Sequence, residues 1–420
     1  MNRTGRVCRV LGAMVLFCLV LVLPALPLGG VPRPAATPET AAPTPTPAPT
    51  VSPAPAEPAA EEYWAVWVSY LEWQSVDFSS ESAFAADVGA MFDNIAAMGA
   101  NVVLAHVRPF GDALYPSDLY PYSHLCTGTQ GRDPGFDPLA VLVQAAHDRG
   151  LELEAWVNPY RLQSGGTPAT LADTNLANTR PDWVKSVDGG LYLDPADPDV
   201  RGYIAAGVGE ICQNYDVDGV HFDDYFYPTT AAEFDADDYA AYCDGGGTLG
   251  LEDWRRENVD ALVALCYQTA HEYGVRFGIA PQGDPDSNSR SQYSDTARWL
   301  REAGFVDYLM PQLYWGLDYK KDGDASHSLT ALASQWLALE RRGDVALYFG
   351  LGAYRIGEGD GGDRSGPGTE WQSGGALAAQ ADELARRGGQ GIGLYRYDSL
   401  FNNTLWPTLA AQEVEALRER

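Results

Sequence analysis

Two adjacent aspartates in the middle of the chain have the residue types and the spacing for acid-base chemistry. They end the segment GVHFDD, in which Asp223 shares one face of a β-strand with His221, because alternate strand residues point to the same side. An apolar interior would reject both side chains, so they must lie near the end of the strand, close to solvent or a ligand. A carboxylate there can serve as nucleophile or base in glycosidic hydrolysis when a second carboxyl is the acid. We therefore predict Asp223 and Asp224 as catalytic residues.

The same two aspartates also have a structural interpretation. Asp223 would then cap the segment that follows it or pair with Arg108, and Asp224 would face a loop. The two interpretations differ in what a neutral asparagine does, since a catalytic carboxylate needs its charge and a capping residue needs its hydrogen bonds.

Polar and aromatic side chains also follow the other candidate strands. Aromatic faces stack on the apolar faces of pyranose rings, while carboxylates, amides and guanidinium groups hydrogen-bond the hydroxyls. Metal-ligand spacings such as CxxC and HExxH do not occur in the sequence, so we predict no metal and no cofactor. The predicted substrate-binding residues are His106, Arg108, Asp112, Tyr115, Asn158, Tyr160, His221, Tyr225, Gln282, Gln312, Tyr314, Trp315, Tyr354 and Asp398.

Eight short apolar segments alternate with amphipathic helical patterns and would position these residues. The candidate strands are Ala65–Tyr70, Asn101–Val107, Glu152–Val157, Gly219–Asp223, Arg276–Ala280, Asp307–Leu313, Ala346–Leu351 and Gly391–Tyr395. Strands separated by helices form parallel βαβ units, and eight units make a (β/α)8 TIM barrel with its chemistry at the C-terminal strand ends. A doubly wound sheet is the main alternative, but the chain reads YLEW where that fold carries a glycine-rich phosphate loop.

The predicted α/β fold is therefore a single barrel with its site at one rim. The helices expected between the strands include Ser82–Met98, Pro138–Arg149, Asp199–Tyr215, Trp254–Tyr273 and Ala376–Arg387. The residues expected near the rim include Ser69, Arg108, Asn158, Asp223, Gln282 and Gln312.

The composition narrows the classes of partner. The chain has 420 residues, with 28 Lys and Arg against 57 Asp and Glu, so its formal net charge is -29. A surface this acidic repels phosphate backbones and anionic membranes, which disfavours nucleic-acid binding. Cys212 and Cys266 fall in apolar helical patterns and are expected to be buried free thiols. An aspartate-rich insert at 235–247 lacks calcium-loop spacing and is expected to be a solvated loop.

The first sixty residues predict an export signal and a spacer. Residues 1–30 carry three arginines and then an apolar run, which is typical of a signal peptide, although an uncleaved N-terminal anchor stays an alternative. Residues 31–60 hold ten of the 28 prolines, mixed with Ala and Thr, and are expected to be disordered. We expect the barrel to occupy residues 61–420 and the protein to be secreted or associated with the cell envelope.

Several motifs together resemble a known family, the family-10-like glycosyl hydrolase group also called the domain of unknown function 187. The resemblance covers about 62–406, and the motifs that carry it are 63–67, 108–115, 156–159, 197–201, 218–228, 280–281 and 311–315. The resemblance implies a (β/α)8 barrel that hydrolyses a polysaccharide. Some members of this group are bacterial envelope proteins that act on peptidoglycan glycan strands stripped of their peptides.

The strand-four motif is also similar to that of amylase-type barrels, in which the last aspartate is the nucleophile. That similarity falls on Asp223, with His221 where those enzymes have an arginine. Their acid is a glutamate at the end of strand five, and this chain has none there, so the general acid stays unassigned. The candidate acids are Asp224, Asp284, Glu72, Asp112 and Asp398, whereas Glu154 lies inside a strand and reads as a buried structural carboxylate.

The sequence therefore predicts an exported glycoside hydrolase whose partner is a polysaccharide or oligosaccharide. One alternative is a non-catalytic glycan-binding barrel, since the unassigned acid is compatible with lost chemistry. Another is a metal-dependent hydrolase or deacetylase on the same barrel, but the six histidines lack a suitable spacing.

Overall fold

Short β-strands recur along the chain wherever the sequence shows apolar runs rich in branched and aromatic residues. The computed structural model describes residues 62–364 and 369–420, so the predicted signal segment and linker lie outside the described residues. The strands in chain order are β1 Tyr63–Val68, β2 Val102–Arg108, β3 Glu152–Val157, β4 Arg161–Gln163, β5 Val184–Val187, β6 Gly190–Leu193, β7 Gly219–Phe222, β8 Arg276–Ile279, β9 Tyr308–Leu309, β10 Gln312–Leu313, β11 Ala346–Leu347, β12 Phe349–Gly352 and β13 Gly391–Tyr395.

Ten of these strands form one parallel sheet that curls on itself. β13, β1, β2, β3, β7, β8 and β9 follow one another in the sheet. β9 then pairs with β11, and β12 pairs with both β10 and β13. Because β9 and β10 belong to one extended segment, and β11 and β12 to the next, the order returns to its starting point. The architecture is a TIM-barrel-like α/β fold.

Strands six and seven of the sequence prediction each fall into two parts. The predicted strand Asp307–Leu313 is broken at Pro311, whose ring removes a backbone N–H that the ladder would use. The predicted strand Ala346–Leu351 is interrupted at Tyr348. The other strand boundaries agree with the sequence prediction to within two residues. The eight predicted apolar segments therefore form the strands of the barrel.

Helices connect the strands and cover the outside of the sheet. They are α1 Glu81–Met98, α2 His124–Thr127, α3 Pro138–His147, α4 Leu176–Thr179, α5 Pro198–Asn214, α6 Ala236–Asp244, α7 Leu251–Glu272, α8 Pro285–Ser287, α9 Thr296–Arg301, α10 Leu329–Ala338, α11 Ala376–Arg387, α12 Tyr397–Phe401 and α13 Pro407–Arg418, with a π-helical turn at Asn288–Gln292. Local signals fix their ends: Ser80 accepts a hydrogen bond from the N–H of Ala83 at the start of α1, and Gly99 ends that helix at a φ of 102°. In the described part of the chain, no helix has both the length and the hydropathy of a membrane span.

Two apolar clusters lie on the two sides of the sheet. The larger one packs the helices onto the outside of the barrel and includes Phe84, Leu142 and Val263. The smaller one fills the barrel centre and includes Trp67, Leu104, Trp156, Tyr308 and Met310. Cys212 and Cys266 belong to the outer cluster and are free thiols, as predicted.

Two insertions depart from the sequence prediction. β4, β6 and β5 form a separate antiparallel sheet after β3, which the sequence analysis did not anticipate. The insert after β7 contains α6, and Asp235 at its start is fully buried. Arg255 donates from Nε to Asp235 Oδ2 at 2.9 Å, so the prediction of a purely solvated loop is wrong for this residue. A buried carboxylate needs such a partner, which the sequence spacing alone does not reveal.

Candidate functional site

The carboxylate pair lies directly after β7 at the C-terminal rim of the barrel. Asp223 is 5% exposed, and its Oδ2 accepts from Asn158 Nδ2 at 2.5 Å and from Trp156 Nε1 at 3.2 Å. Its Oδ1 accepts from the N–H of Tyr225 at 3.2 Å. Since β3 is the hydrogen-bonded neighbour of β7, residues at the end of β3 reach this carboxylate. Three donors hold it in one orientation.

Asp224 is partly exposed and has weaker support. Gln312 Nε2 donates to its Oδ1 at 3.3 Å, and the side chain of Gln282 also faces it. Burial, followed by the negative charge of Asp223, raises the pKa of Asp224 to about 7. Burial also raises the pKa of Asp223, but the charge of Arg161 and the hydrogen bond from Asn158 oppose that rise. Three donors hold Asp223, whereas Asp224 accepts from Gln312 at 3.3 Å, so the geometry favours Asp224 as the residue of the pair that keeps a proton.

Arg161 determines how the amide of Asn158 is oriented. Arg161 Nη2 donates to Asn158 Oδ1, and its Nε donates to the carbonyl of Pro109 at 2.9 Å. With the amide oxygen engaged by a cation, the amide nitrogen must point at Asp223. The guanidinium also lies 4.6 Å from the centre of the Phe110 ring, so the residue is held from several sides.

Three tyrosines form one side of the rim, where they follow β10, follow β12 and end β13. The rings of Tyr314 and Tyr395 stack at 5.7 Å between centroids, and Tyr354 meets both at right angles. The charges of Asp223 and Asp224 contribute to raising the pKa of Tyr314, so this side of the rim lies close to the carboxylate pair. We refer to Tyr314, Tyr354 and Tyr395 as the tyrosine wall.

Two aromatic rings at the rim are open to solvent. Tyr354 is 38% exposed and Tyr225 is 54% exposed, in a protein whose other large apolar side chains are mostly covered. Trp315, predicted to bind substrate, lies half-buried with its ring 5.6 Å from that of His327. Exposed aromatic faces beside buried carboxylates form a surface on which sugar rings can stack.

Three predicted substrate-binding residues lie on the outside of the sheet instead. Arg108 faces helix α5, where a Cβ on Gly207 would meet its Nη1, and Tyr115 and Tyr160 belong to the outer apolar cluster. The pairing of β2 with β3 shifts between His106 and Arg108, so Arg108 aligns with the outward-facing Val157. Val107 is the extra residue in β2, and it reverses the alternation that would have turned Arg108 inward. The structure therefore places these three side chains away from the carboxylate pair.

The alternative pairing of Asp223 with Arg108 does not occur either. Arg108 lies over the ring of Tyr120 at 4.4 Å. Asp112 is fully buried and accepts from the N–H of Phe110 at 3.2 Å and from Gln130 Nε2 at 3.1 Å. Asp112 is thus engaged within the protein.

The two predicted histidines lie beneath the rim, inside the barrel. His221 accepts at Nε2 from Trp67 Nε1 at 3.2 Å, so its Nδ1 carries the proton and donates to Tyr308 Oη at 2.7 Å. Burial lowers the pKa of His221 to about 3, which keeps the ring neutral. His106 is 1% exposed and stacks on Trp156 at 3.7 Å between ring centres. Both rings support the floor of the site.

The remaining candidate acids are engaged in structural contacts. Glu72 accepts from Arg396 Nη1 and from the N–H of Ser69, the latter at 2.9 Å. Asp284 caps α8 by accepting from the N–H of Asp286 at 3.0 Å. Asp398 accepts from Asn402 Nδ2 at 2.8 Å and from Arg396 Nη1 at 3.3 Å. This leaves Asp224 as the candidate acid with the fewest competing partners.

Sequence reasoning missed several residues that build this site. Trp156 and Arg161 hold Asp223 directly or through Asn158, and Tyr395 completes the tyrosine wall. A signal for Trp156 was present, because alternation along β3 puts it on the same inward face as Glu154. Arg161 begins β4, and its position depends on the turn between β3 and β4, which alternation does not describe.

The comparisons with known proteins agree with this barrel. Residues 62–364 match the family model described as glycosyl hydrolase-like 10, and the chain belongs to that family. The resemblance predicted from the motifs is thereby confirmed, and the domain is glycosyl hydrolase-like.

Two curated relatives extend this result. The chain is 36% identical over 315 residues to the glycosyl hydrolase YngK of Bacillus subtilis, a match that covers 70% of this chain and 61% of the relative. It is 34% identical over 329 residues to the glycosyl hydrolase DigH of Escherichia coli, covering 70% of this chain and 73% of the relative. The chain thus spans about three fifths of the length of YngK.

Solved structures share the fold at low identity. The glycoside hydrolase domain of PgaB from Bordetella bronchiseptica has a TM-score of 0.54 at 15% identity, covering 85% of this chain and 98% of that one. The catalytic domain of a β-amylase from Paenibacillus polymyxa has a TM-score of 0.54 at 13% identity, covering 86% of this chain and 98% of that one. These likenesses establish the TIM-barrel-like fold.

Proposed function

We propose that the protein is an exported glycoside hydrolase that cleaves glycosidic bonds of a polysaccharide, with the glycan strands of peptidoglycan as the leading substrate. The observation that carries this proposal is the carboxylate pair: Asp223 is held by three donors, while Asp224 has a pKa raised to about 7. A carboxyl with a raised pKa, beside one whose hydrogen-bond donors favour the ionised form, suits acid catalysis at a glycosidic oxygen.

Each member of the pair then has a distinct role. Asp224 donates its proton to the oxygen of the leaving sugar, and Asp223 stays ionised to stabilise the positive charge that develops at the sugar ring. The tyrosine wall and Tyr225 stack on the neighbouring sugars. Envelope localisation is part of this proposal and is supported by the sequence of residues 1–60 together with the family.

The experiment compares the parent with Asp224→Asn and Asp216→Asn. Asp216 is an exposed carboxylate, its side chain 97% accessible, just ahead of the opposite end of β7, which makes it a matched control. We expect the parent and the control to release reducing ends from peptide-free glycan strands, and Asp224→Asn to be slower by about a thousandfold at a melting temperature no lower than that of the parent. Full activity of the folded Asp224→Asn variant would contradict the assignment.

A second candidate function is glycan binding without hydrolysis. It is favoured by the exposed rings of Tyr225 and Tyr354, which would bind a sugar chain whether or not it is cut. Binding of glycan strands measured by calorimetry, without release of reducing ends by the parent across a panel of polysaccharides, would select this function over hydrolysis.

A further inference from the structure

The two carboxylates of the site come from consecutive residues at the end of one strand. In two-carboxylate glycosidases the groups flank the scissile bond, about 5–5.5 Å apart for retaining enzymes and about 6.5–9.5 Å for inverting ones. Consecutive Cα atoms are about 3.8 Å apart, and the charge of Asp223 acts on Asp224, so the two carboxyl groups lie close together rather than on opposite sides of a bound sugar. Such a pair does not readily supply an acid on one face and a nucleophile or base on the other.

The other carboxylates considered at the rim are committed elsewhere. Glu72 and Asp398 share Arg396, and Asp284 caps a helix. Asp112 is fully buried among Phe110, Gln130 and His124. Each of these four carboxylates would have to break its hydrogen bonds before it could attack an anomeric carbon. The loss of those hydrogen bonds would destabilise the folded protein.

Asp223 keeps capacity for one more donor. An ionised carboxylate offers about four acceptor positions, and Asn158, Trp156 and Tyr225 occupy three of them. The contact with Trp156 joins the carboxylate to the apolar cluster in the barrel centre. A ligand group that presents an N–H beside a small apolar methyl suits this position.

We propose that the attacking group belongs to the substrate: the protein cleaves at a 2-acetamido-2-deoxy sugar, with the acetamido N–H bound by Asp223 and the leaving oxygen protonated by Asp224. This inference rests on the proposed function and names its substrate class and its nucleophile.

The reaction needs no reactant other than the substrate and water. The acetamido carbonyl oxygen forms a bond to C1 as the bond from C1 to the leaving oxygen breaks, and that oxygen takes the proton of Asp224. Asp223 stabilises the positive charge on the resulting bicyclic oxazolinium ion through its N–H. Water then attacks C1 and gives a proton to Asp224, while the bond from C1 to the carbonyl oxygen breaks and restores the acetamido group. The configuration at C1 is retained.

The first test uses a stable mimic of the bicyclic ion with the full chain. A disaccharide thiazoline, in which sulfur replaces the ring oxygen of that ion, should inhibit competitively and bind at least about a hundredfold more tightly than the parent disaccharide. Asp223→Asn should lose most of this advantage while Asp216→Asn keeps it, because the variant lacks the charge that pairs with the N–H. A thiazoline that binds no better than the parent disaccharide would overturn the inference.

The second test changes the 2-substituent of the sugar at the cleaved bond. We expect glycan fragments with a 2-acetamido group to be hydrolysed with retention, read from the first-formed anomer by NMR, and fragments with a 2-hydroxyl or a free 2-amine to be at least about a thousandfold slower. Comparable rates for all three, or inversion, would overturn the inference and leave the proposed hydrolase function intact. Failure to hydrolyse any of the three would refute the proposed function itself, and the inference with it.

Discussion

Two carboxylate sites of the barrel are built in opposite ways. Near the N-terminal strand ends, Glu154 is fully buried and accepts from Tyr63 Oη at 2.9 Å, from Arg276 Nε at 3.0 Å and from Tyr308 Oη. At the C-terminal rim, Asp223 and Asp224 lie beside each other, and neither forms an ion pair with a cation among the described residues. At Glu154, an arginine and two tyrosines balance the buried charge. At the rim, the charge of Asp223 instead opposes ionisation of Asp224.

The comparison teaches that a raised pKa alone does not mark a functional carboxyl. Burial raises the pKa of Glu154 as well as that of Asp224. The sites differ in what opposes burial: Arg276 lowers the pKa of Glu154, whereas the charge of Asp223 adds to the rise at Asp224. A like charge and partial exposure distinguish the site that can exchange protons with a ligand.

The largest effect on stability is expected when the Glu154 carboxylate is removed. Glu154→Leu leaves Arg276 and two tyrosine hydroxyls without their acceptor, so the free energy of unfolding should fall by about 3–5 kcal/mol. Urea unfolding measures this loss, and the activity per folded molecule should stay near that of the parent. A variant that remains stable but inactive would show that the two sites do not divide stability from chemistry.

The next effect concerns Arg161, which acts on Asp223 through Asn158. In Arg161→Met the amide of Asn158 loses its cation, so kcat should fall by about a hundredfold while KM changes little. The charge of Arg161 lowers the pKa of Asp223, so its loss should also move the acidic limb of the pH profile of kcat/KM to higher pH. Rescue by added guanidinium, together with an unaffected Arg290→Met control, would confirm a positioning role; an unshifted pH profile would refute it.

A smaller effect is expected for the pH dependence of stability, to which Asp224 contributes. The folded-state pKa of Asp224 lies at about 7 against an ordinary value of 3.8, so the folded state binds this proton more tightly than the unfolded state. Its contribution to stability is therefore present below pH 4 and is lost as the pH rises towards 7. Asp224→Asn should be more stable than the parent by about 1 kcal/mol at pH 8, with a smaller gain at pH 4.5. Equal gains at both pH values in urea unfolding would contradict the raised pKa.

The smallest effect tests the exposed aromatic surface. Tyr354→Ala should raise KM for glycan strands by about fivefold, with kcat and the melting temperature nearly unchanged, because one stacking face is worth about 1 kcal/mol. Tyr273→Ala is the control, since Tyr273 is 46% exposed but lies at the C-terminal end of α7, ahead of the N-terminal end of β8. Identical KM values for the two variants would show that Tyr354 does not contact the substrate.

Much of the fold could be predicted from the sequence because the barrel depends on periodic patterns. The strands Glu152–Val157 and Gly391–Tyr395 have the predicted bounds, and the carboxylate pair lies at a strand end as alternation indicates. The small antiparallel sheet was missed because its strands have three or four residues and alternate too little to be recognised.

The site was harder to predict because it depends on single-residue events. One irregularity in β2 turns Arg108 outward, and Arg161 comes into place through a turn beyond β3. Neither event changes the hydrophobic pattern, so sequence periodicity carries no signal for them. Roles that depend on strand alternation were accessible from sequence, whereas roles that depend on loop geometry were not.

The side-chain hydrogen bonds through the barrel centre also bear on how the chain folds. Trp67, His221, Tyr308, Glu154 and Arg276 form one connected series, and they come from β1, β7, β9, β3 and β8. A slip of any of these strands by one residue would turn its member of the series out of the barrel and leave its partners unsatisfied. The series therefore acts as a register lock, which penalises misaligned closure of the barrel and makes those strands form cooperatively.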